Sequence, residues 1–358
     1  MKIIITYASA GGGHRVAAEA LYDYYSHNCQ QVEVKLIDIL DFADPWFAKA
    51  YTQGYSYLAS RLSFLWKALF RISAQTFIGS AVNHFCRLHS KKFISYVLHE
   101  QPQAIITTHF FPAEIISYLK SQGKLQARLD CVITDFGVHP LWIQNFCDEY
   151  IVASEYTGAQ LSSRGIPAGK IKVLGIPLRS GFSVARKVPH KEFRALLISG
   201  SFGFTFIEKI VEQLHSEIEL IVVCGNNQEL YSRLKKRAYS SVKLFGFTDQ
   251  IPQLMAQADI MISKPGGVSI AEALAMELPL VFVKGIPGQE TENARVIHEY
   301  GCAEYAQRLK DVKKIVNELR FYPEKLNLLR ANTKKIRKPD STKEICRYVC
   351  ASSAGVTC

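Results

Sequence analysis

Short runs of apolar, β-branched residues recur along the chain, each followed by a stretch whose apolar positions repeat at helical spacing. "KIIITY", "VEVKLID", "QAIITTH", "DCVITD", "EYIVAS" and "IKVLG" form a first series; "RALLISG", "IELIVVCG", "VKLFGF", "ADIMISK" and "LPLVFVK" form a second. Runs that are apolar throughout, rather than alternating with polar residues, belong to strands buried on both faces, and their rhythm predicts βα units on parallel sheets. Between the series lies "GIPLRSGFSVARKVPHKEF", rich in Gly, Pro and basic residues and without periodicity, which puts a domain boundary near residues 176 to 192. A length of 358 residues suits two such domains. The expectation is two doubly wound α/β domains with a crevice at the carboxyl ends of their sheets, where open α/β sheets bind ligands. The C-terminal "KLNLLRANTKKIRKPDSTKEICRYVC" reads as two basic helices broken at Lys338-Pro339, and the final "ASSAGVTC" as frayed.

Charge narrows the partners. A formal net charge of +11 draws the protein toward something anionic: nucleic acid, a phospholipid surface or phosphorylated substrates. The nine cysteines are scattered, mostly inside apolar runs and never as C-x-x-C, so they read as small core residues of a reducing compartment rather than a disulfide or zinc framework. No window reaches the roughly 18 uninterrupted apolar residues of a membrane span. The N-terminal apolar run is too short for a signal peptide and passes straight into glycines, so the expectation is a soluble or peripheral protein.

Those glycines lie in "YASAGGGHRVAAEAL", residues 7 to 21, between the first strand and a good helix. Gly11, Gly12 and Gly13 permit positive φ and close approach of a ligand, and the free N–H groups of the helix make the loop a natural anion or hydroxyl site. The spacing is neither that of a P-loop nor G-x-G-x-x-G, and a tight turn with His14 as a cap accounts for the loop equally well. The second series tips the balance. "SGSFGFT" sets Gly200 and Gly203 before a helix; in "SKPGGVSIAEALAMELPLVF" Pro265, Gly266 and Gly267 open a helix with Glu272 in its first turns. "KGIPGQETENARVI" turns at Gly285 to Gly288 and starts a helix near Gln289 and Glu290. Together these loops supply what a nucleotide diphosphate requires, backbone donors for phosphates and a carboxylate for ribose hydroxyls.

With "ASAGGGHRVAAEAL" (8 to 21), "TDFGVHPLWI" (134 to 143), "LFGFTDQIPQLMAQADIMISKPGGVSIAEALA" (244 to 275) and "IPGQETENA" (286 to 294), the chain resembles glycosyltransferase family 28 over nearly its whole length. Within it, the likeness is to the monogalactosyldiacylglycerol synthase and processive diacylglycerol glucosyltransferase branch. The resemblance implies a GT-B fold and inverting transfer of a hexose from a UDP-sugar to a lipid hydroxyl, in glycolipid synthesis. Residues 1–178 would form an acceptor and membrane-associating domain, 179–340 a UDP-sugar-binding domain, and 341–358 a C-terminal helix and tail. By position, Phe245, Gly246 and Phe247 would meet the uracil. Gly200, Ser201, Phe202 and Gly203 with Pro265, Gly266, Gly267 and Val268 would cradle the diphosphate. Glu272 would bind ribose hydroxyls, and Gln289 and Glu290 the hexose. Gly11 to Gly13, His14 and His139 would face the acceptor.

Inversion needs a base for the acceptor proton and stabilisation of the departing diphosphate. His14 is the first candidate base, because an imidazole titrates near working pH; Asp135 is the alternative, as base or as orienter of His14, unless it caps the next segment. His139 is a further possibility, and His109 in "THFFP" reads as structure. Helix N-termini would do for the leaving group what a metal does elsewhere, and no D-x-D occurs, so neither cofactor nor dedicated metal is expected. Lys264 would add charge beside the loop, or else be solvated.

From Pro45 to His99 there is no Asp or Glu, where about five would be average. The stretch holds seven Lys or Arg. Leu58, Leu62, Leu65 and Leu69 form a helical stripe beside Trp66 and Phe70, with Arg61, Lys67 and Arg71 as cations and Trp46 and Phe47 upstream. This is the profile of an interfacial helix in an anionic leaflet, against the alternative of core or dimer packing. The expected partners are therefore a UDP-hexose, a lipid acceptor and an anionic membrane surface, without nucleic acid, at the cytoplasmic face of a membrane. An N-acetylglucosaminyltransferase acting on the peptidoglycan lipid precursor, a UDP-sugar epimerase of the same architecture and a non-enzymatic basic binding module are the rival readings. Galactose and glucose differ at one hydroxyl and both suit Gln289 and Glu290.

Overall fold

The apolar runs become strands. In a computed structural model that describes residues 1–9, 11–61, 84–183, 190–198 and 206–354, with the backbone alone at 55–61 and 354, each series builds one parallel sheet. The first comprises β1 (Lys2–Tyr7), β2 (Glu33–Asp38), β3 (Ala104–Thr107), β4 (Arg128–Val132), β5 (Glu149–Ile151) and β6 (Ile171–Lys172), ordered β2-β1-β3-β4-β5-β6. The second comprises β7 (Arg194–Ile198), β8 (Glu219–Val223), β9 (Val242–Phe245), β10 (Ile260–Ser263), β11 (Leu280–Phe282) and β12 (Ala303–Tyr305), ordered β12-β11-β10-β7-β8-β9. Central strands such as β3, β10 and β11 are buried along their whole length, as strands covered by helices on both faces must be. The sequence pattern misses β12, because three residues that include the half-buried Glu304 carry too little apolar signal.

The helices are α1 (Gly12–Asn28), α2 (Pro45–Arg61), α3 (Lys91–Glu100), α4 (Phe110–Ser121), α5 (Glu155–Ser162), α6 (Phe206–Leu214), α7 (Gln228–Arg237), α8 (Ile251–Ala256), α9 (Gly267–Ala275), α10 (Gln289–Glu299), α11 (Asp311–Phe321), α12 (Pro323–Ile336) and α13 (Ser341–Ala354). Two units result: Met1–Arg179 with Ile286–Gln289 and Asp340–Cys358, and Ser180–Gly285 with Glu290–Pro339. The chain thus returns to the first unit after Pro339. There α13 buries Ile345, Cys346 and Val349 against Leu21 and Tyr25 of α1, and the Tyr25 hydroxyl donates to the Cys346 carbonyl at 3.0 Å. Ser341 and Thr342 at its start donate to the carbonyls of Ile176 and Leu178, each at 2.7 Å. The tail expected to fray from Ala351 stays helical to Ala354, and 355–358 lie outside the described residues.

In both sheets the strand order reverses once, between β1 and β3 and between β7 and β10. Loops at such a reversal leave in opposite directions and open a crevice at the carboxyl ends of the strands. The glycine-bearing segments that follow β1 and β10 leave from strands at these two places.

Candidate functional site

In the first unit the site grows from the end of β1. Asp38, closing β2, accepts from the backbone N–H of Ser9 at 3.3 Å and of Leu40 at 3.0 Å, which ties down the approach to the glycines. Gly11 then takes φ +109°, and a Cβ there would meet nothing within 4 Å, so conformation rather than room calls for glycine. Gly12 and Gly13 already belong to α1, so positive φ is needed at Gly11 and not along the whole triplet.

His14, in the first turn of α1, reaches across the β1/β3 reversal. Its Nδ1 lies 2.6 Å from the carbonyl oxygen of Thr108 and 2.9 Å from Oγ1 of Thr134. A carbonyl oxygen only accepts, so the bonding assigns the proton to Nδ1 and leaves the lone pair on Nε2. In return the Thr108 hydroxyl donates to the His14 carbonyl at 2.8 Å. The His109 ring stands edge-to-face at 4.6 Å and 79°, and the buried Trp142 ring lies 6.4 Å away. Burial of the ring, opposed by the Thr108 bond, lowers the His14 pKa from 6.5 to about 4. The expectation that His14 titrates near working pH is thus corrected: it is neutral there, because its charged form would lose hydration. Burial and the nearby His14 hold His109 well below the usual imidazole range.

Asp135 is half-buried next to Thr134. The Nδ1 of His14 is taken by the Thr108 carbonyl and the Thr134 hydroxyl rather than by a carboxylate. His139 is buried and its Nδ1 accepts from the Leu141 N–H at 3.3 Å, capping the turn Pro140–Trp142. The residues missed by sequence reasoning are Thr108 and Thr134, ordinary strand-end threonines, and His109; only the position of "THFFP" at a strand's carboxyl end could have flagged the last two of 107–109.

In the second unit the β10 loop is braced from beneath. Gly266 is the N-cap of α9, with no side-chain cap, and Gly267 and Val268 are buried. Asn293, fully buried on α10, donates through Nδ2 to the Pro265 carbonyl at 3.1 Å. Lys264 is not solvated: its Nζ lies 2.9 Å from Oε1 of Glu290, with the two side chains only 13% and 11% exposed. A Cβ on Gly285 would fall 2.5 Å from Oε2 of Glu290 and 2.8 Å from Cδ of Pro265, so this glycine leaves room for the brace. Glu272 is buried in the second turn of α9, Gln289 opens α10, and Ser263 Oγ is buried without a partner. Phe245 closes β9, Gly246 follows, and Phe247 is 68% exposed. Gly200, Ser201, Phe202 and Gly203 lie outside the described residues.

The basic aromatic segment is partly corrected. Trp46 is 57% exposed, beside Phe85 (46%) with ring centroids 6.4 Å apart, and Leu88 is 48% exposed. Phe47, expected at a membrane face, is instead 4% exposed. It stacks on His89 at 5.2 Å and packs against Phe85, Tyr51 and Phe111, because at helical spacing it turns inward from its neighbour. Leu62, Leu65, Trp66, Lys67, Leu69, Phe70 and Arg71 lie outside the described residues, as do the side chains of Leu58 and Arg61. Among the described residues no helix is long and apolar enough to cross a membrane.

Comparison with known proteins supplies the family context. The family model for monogalactosyldiacylglycerol (MGDG) synthase matches residues 14–178, and that for the glycosyltransferase family 28 C-terminal domain matches 195–345. A processive diacylglycerol beta-glucosyltransferase of Bacillus pumilus (strain SAFR-032) is 30% identical over 375 residues, covering 99% of this chain and 96% of the relative. One from Bacillus subtilis (strain 168) is 26% identical over 384 residues, with coverages of 99% and 96%. Among solved structures, Acinetobacter baumannii MurG aligns with a TM-score of 0.62 at 15% identity, covering 97% of this chain and 99% of that one. Staphylococcus aureus MnaA, in a co-structure with UDP, gives 0.65 at 12% identity, covering 99% and 98%. At such identities these structures speak for the fold alone, which is GT-B.

Proposed function

We infer the reaction from one premise: the chain belongs to glycosyltransferase family 28, in the branch of the monogalactosyldiacylglycerol synthases and processive diacylglycerol glucosyltransferases. It is a UDP-sugar-dependent glycosyltransferase. Its reading as an enzyme that moves glucose or galactose to the free hydroxyl of diacylglycerol, with inversion, draws on the names of its relatives and on the chemistry of the two units. The observation that carries it is the neutral His14, its Nδ1 held by the Thr108 carbonyl at 2.6 Å so that the lone pair is on Nε2. A lone pair fixed at a strand reversal is what removes a proton from an alcohol as its oxygen attacks the anomeric carbon.

In the second unit the N-terminal N–H groups of α9, whose N-cap Gly266 makes no side-chain cap, would carry the diphosphate charge as the sugar leaves. Glu272 would take the ribose hydroxyls and Phe245 to Phe247 the uracil. Gln289 and Glu290 would take the hexose, with Lys264 holding the Glu290 carboxylate in place. Trp46, Phe85 and Leu88 offer an exposed apolar edge within a stretch that has no acidic residue. That composition favours peripheral attachment to an anionic bilayer, from which a diacylglycerol would be drawn.

The test is product analysis. Purified protein is given UDP-glucose or UDP-galactose with diacylglycerol in anionic vesicles, and the lipid product is identified by mass spectrometry and its anomeric configuration by NMR. A β-hexosyl diacylglycerol is expected. Turnover only with the peptidoglycan lipid precursor, or sugar epimerisation without lipid, overturns the reading. UDP alone should raise Tm, and Glu272→Ala should abolish that rise.

A further inference from the structure

We propose that His109 is a positioning residue for His14, its ring edge fixing the swing of the His14 imidazole so that Nε2 meets the acceptor hydroxyl. The inference rests on the reading of His14 as the base.

A hydrogen bond at Nδ1 sets the plane of the His14 ring but does not by itself stop the side chain from swinging about its own stem. The Nδ1 contacts to the Thr108 carbonyl and the Thr134 hydroxyl hold one edge of the ring, and the His109 ring, edge-to-face at 4.6 Å, adds a restraint away from that nitrogen. His109 is itself immobilised. Its Nδ1 accepts from the Phe111 N–H at 3.0 Å, its carbonyl accepts from the Thr107 hydroxyl at 2.6 Å, and its ring stacks on Phe110 at 4.3 Å. It is 3% exposed. A base held within a fraction of an ångström by a rigid neighbour keeps its catalytic geometry through the turnover cycle.

Capping alone does not call for histidine at this position. His109 is the N-cap of α4, a place that Asn, Asp, Ser or Thr fills at least as well. What the imidazole adds is the ring, and the ring faces His14. Because its Nδ1 is an acceptor there, its proton sits on Nε2, and it stays uncharged beside a neighbour that must also be uncharged to act.

Two substitutions separate ring from cap. His109→Asn keeps the cap and removes the ring; His109→Phe keeps the ring and removes the cap. With saturating diacylglycerol vesicles and varied UDP-sugar, His109→Asn should lower kcat about tenfold or more, with KM for the UDP-sugar within about twofold of the parent. His109→Phe should keep kcat within about threefold. The 15N imidazole resonances of His14 should show a single Nδ1–H tautomer in the parent and His109→Phe, and exchange-broadened signals in His109→Asn. Parent-like kcat in His109→Asn overturns the proposal. So does a tenfold loss in His109→Phe with unchanged Tm, and this arm remains decisive if His109→Asn fails to fold. His14→Ala is run beside them: full activity there removes the base itself, whereas an inactive His14→Ala with a fully active His109→Asn removes only the positioning role.

Discussion

His14 donates from Nδ1 to the carbonyl oxygen of Thr108 at 2.6 Å across 94 residues of sequence. The bond joins the first turn of α1 to the end of β3, two elements that meet only because β1 and β3 are neighbours in the sheet. It sets the tautomer and so leaves the lone pair on Nε2, while burial of the ring, working against this bond, keeps it neutral.

Replacing His14 by Asn should lower kcat by about 10²- to 10⁴-fold. The UDP-induced rise in Tm should be unchanged, because the proposed nucleotide residues lie in the second unit. The pH profile is more discriminating. With a folded pKa of about 4, His14 remains neutral down to mildly acid pH, so kcat/KM should show no imidazole limb near 6.5. Such a limb would mean a hydrated ring rather than a buried one.

Stability follows with a definite sign. The folded pKa of His14 lies below its unfolded value of 6.5, so its contribution is present above 6.5 and is lost as pH falls toward about 4. For a ring that keeps some exposure the loss is at most about 3 kcal/mol. Urea denaturation of the parent and His14→Asn at pH 7.5 and 4.5 should show a shallower decline in the variant.

Glu114 behaves in the opposite sense. Burial, only partly offset by Arg87 at 3.2 Å, raises its pKa from 4.5 to about 7, and its Oε2 is buried without a partner. The folded pKa exceeds the unfolded one, so its contribution is complete below 4.5 and is lost as pH rises through about 7. The difference in unfolding free energy between parent and Glu114→Gln should therefore move against the parent by about 2 to 3 kcal/mol between pH 4.5 and 8.

Lys264→Met removes the ammonium that lies 2.9 Å from the buried Glu290 carboxylate. A loss of about 3 to 5 kcal/mol is expected from breaking a buried pair on one side, and Lys264→Met/Glu290→Gln should recover part of it. Gly285→Ala pushes a Cβ into Oε2 of Glu290 and Cδ of Pro265, at a cost of about 1 to 3 kcal/mol. It should raise KM for the UDP-sugar more than it weakens UDP, since Glu290 is assigned to the hexose. Equal effects on both would place Glu290 outside the sugar site.

Trp46 and Phe47 are neighbours in sequence and opposites in exposure, at 57% and 4%. Trp46→Ser with Phe85→Ser should reduce co-sedimentation with anionic vesicles about tenfold or more while leaving Tm within a few degrees, because each exposed aromatic contributes about 1.5 to 3 kcal/mol when it enters the bilayer boundary. Phe47→Ser should instead unfold the protein more easily by about 3 to 5 kcal/mol.

The sequence by itself determined the two α/β series, all but one of the strands, the glycine-bearing loops and the residue types able to handle a proton or a diphosphate. These are legible because apolar runs, helix periodicity and glycine turns are local, and the chain carries them wherever it folds. The tertiary structure alone decided who holds whom. Thr108 and Thr134 take Nδ1 of His14, Lys264 closes on Glu290, and Phe47 turns into the core. The last helix returns to the first unit, seated on Tyr25. Each is a contact between segments far apart in sequence, or a choice of face on a helix whose neighbours the local pattern does not name. Strand order sets such contacts, and it brings β1 beside β3 across the intervening β2 and helices; no short stretch of sequence records that adjacency.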